Sequence, residues 1–108
     1  MNTLRAGQLR DRITIQRRKP GGSLGQPSNL WEEVTQVWAN IRFGSGAETI
    51  RAGQVASKAQ ASIRIRWRTD IKADMRAVCS GVEYSIKAVL PERQRREYVD
   101  LACEVTNG

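Results

Sequence analysis

Hydrophobic and polar residues alternate with a period of two along most of this chain, the pattern of strands whose successive side chains point to opposite faces. In Arg12-Ile13-Thr14-Ile15-Gln16-Arg17, Ile13 and Ile15 share one face, which predicts a first strand ending at Lys19-Pro20-Gly21-Gly22. Residues 20–29, rich in glycine and proline, cannot hold a regular element and read as a flexible hairpin loop; residues 1–9 read as a flexible start. Residues 30–43 are strand-like, with Val37, Ala39, Ile41 and Phe43 on one face and Trp38, Asn40 and Arg42 on the other. Trp31 and Val34 fall on opposite parities, which predicts a bulge between Trp31 and Val37. Trp38 then caps the barrel or faces a partner.

The second half repeats the pattern. In residues 61–68, Ile63, Ile65 and Trp67 point one way and Arg64, Arg66 and Arg68 the other. A one-residue slip would bury three guanidiniums, so this register is strongly fixed. Residues 75–79 form a short strand, Ser80-Gly81 supplies the hairpin signal, and Val82, Tyr84, Ile86 and Ala88 alternate on the return. A charged loop, residues 91–97, has Leu90 and Tyr98 as its apolar base, and a last strand carries Val99, Leu101, Cys103 and Val105 inward. Between the second and third main strands lie residues 44–60, whose only period is weakly helical and whose Gly53 would cost about 1 kcal/mol inside a helix. This long connection reads as a short helix or a mobile loop, and such connections tend to be functional or disordered. The fold predicted is all-β, a small closed or nearly closed antiparallel β-barrel of about six strands in one domain, residues 1–108.

Composition narrows the chemistry. With 108 residues, 40% of them hydrophobic, a single core is adequate. No apolar run nears the roughly 18 residues that span a bilayer, and the N-terminus lacks a signal-type apolar stretch, so no membrane partner and a cytoplasmic or assembly-borne setting are expected. The chain has no histidine, which removes the commonest general base and metal ligand. Cys79 and Cys103 are too far apart for a CxxC motif and read as small core residues, with one inter-strand disulfide as the alternative. Glu32 and Glu33 point to opposite faces of a strand and cannot act together as acid and base. Gly44-Ser45-Gly46-Ala47-Glu48-Thr49 lacks the ending of a phosphate-binding loop. No enzyme, metal or cofactor is indicated.

The charge does point somewhere. There are 18 Lys plus Arg against 11 Asp plus Glu, a net charge of +7, concentrated in the first 20 residues and in residues 61–76. A polyanionic neighbour or a merely solvated face accounts for this equally well. The ladder Arg64, Arg66, Arg68 would set guanidiniums about 6.5 to 7 Å apart, near the phosphate repeat of a single strand. The same row suits carboxylates of an adjacent subunit.

Taken together, LRDRITIQ at residues 9–16, Trp31 followed by Val37-Trp38-Ala39-Asn40-Ile41, Ile63-Arg64-Ile65-Arg66-Trp67-Arg68, Asp74-Met75-Arg76, Gly81-Val82-Glu83-Tyr84-Ser85-Ile86 and Val89-Leu90-Pro91 resemble the head-tail joining proteins of tailed bacteriophages, also described as head-completion or stopper proteins. The resemblance spans about residues 4–105. It implies a virion protein made in the host cytoplasm that assembles as a ring, typically of twelve subunits; ordering of residues 1–9 and 20–29 only on docking would allow the free protein to be a monomer. It implies partners in the portal or adaptor protein, a tail terminator or tail-completion protein, and packaged double-stranded DNA. By the same resemblance, residues 44–60 form the loop that reaches the central channel, with Gly44, Gly46, Glu48, Arg51, Gly53 and Gln54 as channel-loop residues. Because a channel through which DNA slides should not grip it, Arg64, Arg66 and Arg68 are expected at subunit or adaptor interfaces in preference to the lumen. The alternative is a small basic barrel of the OB or SH3-like kind that binds nucleic acid through its backbone.

Overall fold

In the computed structural model, which describes residues 8–21, 30–44, 50–51, 54–55 and 59–106, every assigned element is a strand. These are β1 (Asp11–Arg18), β2 (Trp31–Phe43), β3 (Ile50–Arg51), β4 (Gln54–Val55), β5 (Ala59–Arg66), β6 (Arg76–Cys79), β7 (Val82–Pro91) and β8 (Tyr98–Thr106). Six of them close a barrel in the order β1-β2-β5-β8-β7-β6, every neighbour antiparallel, while β3 and β4 pair with each other as a separate ribbon. The six-stranded antiparallel barrel is the predicted fold. The connection between β2 and β5 is not helical in its described residues: Ile50 pairs with Val55 and Arg51 with Gln54. The predicted flexible segments at residues 1–9 and 20–29 fall mostly outside the described residues.

Alternation builds the core. Ile13, Ile15, Ala39, Ile63, Ile65, Val99 and Leu101 are wholly buried, and Tyr84, Ile86, Cys103 and Val105 nearly so. Burial of large aliphatic side chains contributes about 1.5–3 kcal/mol each, so the register is held by the inward rows of four strands. Both cysteines are free; Cys103 is buried as expected, and Cys79 is only partly so.

Two bulges phase the barrel. Opposite β1 the register jumps from Ile15↔Thr35 to Gln16↔Glu33, which leaves Val34 as the extra residue, inside the predicted window. In β7 the register passes from Ile86↔Cys103 to Ala88↔Ala102, which leaves Lys87 extra. This second bulge corrects the predicted alternation: Val89, rather than Ala88, continues the inward row after Ile86 and packs against the core. Leu90 is thereby turned outward and is 56% exposed. Phe43 keeps its predicted parity but reaches the open mouth of the barrel, exposed, with its ring 6.3 Å from that of Tyr84.

The barrel closes where β1 meets β6, over three residue pairs, Thr14↔Val78, Ile15↔Ala77 and Gln16↔Arg76. Arg76 stitches this seam. Its Nε donates to Gln16 Oε1 at 2.7 Å, its Nη1 lies 3.2 Å from Glu83 Oε2 on β7, and its guanidinium stacks 4.2 Å from the centre of the Trp31 ring on β2.

Candidate functional site

The outward rows carry the surface chemistry, and strand order decides which rows meet. Asn40 of β2 stands opposite Arg64 of β5, and Arg64 opposite Asp100 of β8. Arg64 Nε and Nη2 donate to the two carboxylate oxygens of Asp100 at 2.8 and 3.0 Å. The same guanidinium lies 3.7 Å over the ring of Tyr98, which it buries although Tyr98 sits on the outward row. The hydrogen bonds from Arg64 to Asp100 push the arginine's pKa further up, so it stays charged.

Strand β5 ends at Arg66, two residues before the predicted end. Trp67 leaves the ladder, its N–H donating to the Glu97 carbonyl at 3.1 Å, and lies half-buried against the core rather than inside it. Arg68 therefore stands in a turn, where its Nε and Nη2 donate to the Asp70 carboxylate at 2.9 and 2.7 Å. Of the three arginines, two have their charge matched by a carboxylate of the same chain. Arg66 is exposed and has no ion pair among the described residues. The row is thus not an evenly spaced run of open cations.

Beside Arg66 lies the feature that sequence reading singled out without assigning. Trp38 of β2 is 52% exposed, with the Arg12 guanidinium 5.3 Å from its ring centre. Arg12, Trp38, Arg66 and Trp67 line one shallow depression. Tryptophan and arginine are the residues most enriched where protein interfaces concentrate their energy. On β7 and β8, Ala88 faces Ala102 and Leu90 faces Asp100, a small apolar patch edged by carboxylate. Counting either way round the closed barrel, β7 is the third strand from β2, so Trp38 and Leu90 occupy opposite faces.

Of the residues expected in the channel loop, Gly44 sits at its base, where its N–H donates to the Gln60 carbonyl at 2.8 Å and extends the β2–β5 ladder. Arg51 and Gln54 are a pair of the ribbon. Gly46, Glu48 and Gly53 lie outside the described residues.

Similarity to known proteins follows the whole barrel. The solution structure of protein SF1141 from Shigella flexneri 2a is 31% identical, with a TM-score of 0.68 over 93% of this chain and 95% of that one. A chain of the virion of the native gene transfer agent particle is 19% identical, with a TM-score of 0.65 over 86% of this chain and 90% of that one, and shares the fold. No curated protein matches significantly. A family model described as phage head completion protein matches residues 4–106. The chain therefore belongs to the phage head completion family, structural proteins of the virion.

Proposed function

We propose that this protein is a non-catalytic subunit of the head–tail connector, which forms a ring beneath the portal or adaptor, closes the DNA-filled head and docks the tail. The observation that carries this reading is the family match over residues 4–106, which includes every strand of the barrel. The surface is consistent with a ring. Trp38 with Arg12 and Arg66 on one face, and Leu90, Ala88 and Ala102 on the opposite face, suit a head-to-tail contact between copies, the kind of interface that closes into a ring when its rotation allows. A ring of twelve is the number the resemblance implies. The ribbon of β3 and β4, separate from the barrel sheet, is the segment assigned to the channel.

Electron microscopy of particles made without the gene tests the role: heads that lose DNA beside free, finished tails are expected. Normal tailed particles would overturn it. Complementation with Trp38→Ala is expected to give the same defect from a protein that still folds, and full rescue by that variant would remove Trp38 from the ring contact.

A further inference from the structure

Strand β7 is ten residues long and its neighbour β6 only four. On the β6 side, pairing runs from Cys79↔Val82 to Arg76↔Ser85, and then Ile86 accepts from the Asp74 N–H at 3.1 Å and donates to the Met75 carbonyl at 3.0 Å. Among the described residues no backbone group pairs with β7 on that side beyond Ile86. After the Lys87 bulge, Val89 occupies the inward phase that Ile86 held, so its N–H and C=O point away from β8, as those of Ile86 do. The barrel is closed, yet this strand overhangs with a free edge.

An open groove runs beside that edge. Its apolar floor is Trp67, Ile71, Val89 and Pro91, and its rim carries Arg68, Lys72 and Arg93. Arg68 is matched by Asp70, whereas Lys72 and Arg93 are exposed and have no ion pair among the described residues. An unpaired strand edge beside an apolar groove suits strand addition, in which main-chain hydrogen bonds supply affinity and the groove supplies selectivity.

We propose that the Ala88–Pro91 edge of β7 receives an extended segment of a partner protein in which apolar side chains alternate with carboxylates. Apolar residues of that segment settle on Trp67, Ile71 and Val89, and its carboxylates meet Lys72 and Arg93. The rim selects against a second copy of this chain, whose net charge is +7, and the apolar floor has nothing to offer a phosphate backbone. The proposal is independent of the connector assignment.

The test uses the full ¹⁵N-labelled chain and a capped nine-residue peptide alternating valine and glutamate. Expected are amide shifts at Ala88, Val89 and Leu90 and at the Trp67 indole, and at least tenfold weaker binding by the doubly charge-reversed variant Lys72→Glu/Arg93→Glu. Two versions of the peptide, N-methylated on alternate residues in either phase, each lack the hydrogen-bond donors of one edge, so one should bind and the other fail. Equal binding of both, equal binding of a valine–lysine peptide, shifts confined to other strands, or no shift at all would overturn the proposal. So would the same amides responding to a single-stranded oligonucleotide instead of the peptide, or the Val89 amide, which faces the free edge, responding to protein concentration alone.

Discussion

Arg64 and Asp100 face each other across the β5–β8 ladder and are joined by two hydrogen bonds, with the arginine laid flat on Tyr98. Both side chains keep about a quarter of their surface in water, 29% and 25% exposed, so the pair is partly screened. A double-mutant cycle through Arg64→Ala and Asp100→Ala is expected to give a coupling of about 1 kcal/mol that weakens with added salt. Arg64→Ala should cost more than the coupling alone, because it also uncovers the Tyr98 ring. Urea unfolding of the four proteins checks both statements.

The acid limb of stability reports on the Arg68–Asp70 turn. Hydrogen bonds from Arg68 hold the Asp70 pKa below its usual 3.8, so the folded state binds that proton less readily than the unfolded chain. The contribution is therefore present above pH 3.8 and is lost as pH falls through the lower, folded value. Asp70 is nearly half exposed, which limits the effect to a few tenths of a kcal/mol. Asp70→Asn should be less stable than the parent at neutral pH, and the gap should close in the acid range; a gap that widens there would contradict the assignment.

The β6–β7 turn makes a backbone prediction. Ser80 and Gly81 both have positive φ, 51° and 80°, as a two-residue hairpin turn of the mirror-image type requires. A β-carbon at Gly81 would meet nothing within 4 Å, so the cost of Gly81→Ala is conformational, about 1 kcal/mol. Ser80→Gly should be neutral or slightly stabilising by the same argument. Thermal unfolding of the two variants separates backbone preference from packing.

Burial pushes the Cys103 thiol up to about 12. Because the thiolate is the reactive species, native Cys103 should resist iodoacetamide at mildly alkaline pH and react once the chain is unfolded. Mass spectrometry of a Cys79→Ser variant reads this directly, and rapid labelling of the native protein would show that the β8 inner row is open to solvent.

How far the sequence could be read depended on whether neighbouring positions differed in polarity. In β5 the alternation of Ile63 and Ile65 with Arg64 and Arg66 leaves one register, and the structure has it. The Val34 bulge was legible because Val34 falls out of phase with Trp31 and Val37. The Lys87 bulge was not, since Ala88, Val89 and Leu90 are all apolar and no polar residue marks which face each takes. Asp70 lies two residues from Arg68 and could have been paired with it on paper. Asp100 is 36 residues from Arg64, a contact that only the closing of the sheet creates. The free edge of β7 was equally invisible, because it depends on how many residues β6 contributes beside it.

The seam between β1 and β6 has a kinetic meaning. Hairpin contacts assemble β1 with β2 and β6 with β7 and β8 from residues near in sequence, but Gln16 meets Arg76 across a separation of 60 positions. Three residue pairs hold that closure, against eight between β5 and β8. The shortest ladder of the barrel thus spans its longest chain separation, and the barrel is expected to join last and part first along this line. Among the paired amides of the barrel strands, exchange should be fastest at Thr14–Gln16 and their partners. The opening expected is that of a curved sheet hinged opposite its seam, with β5 and β8 as the spine that stays whole.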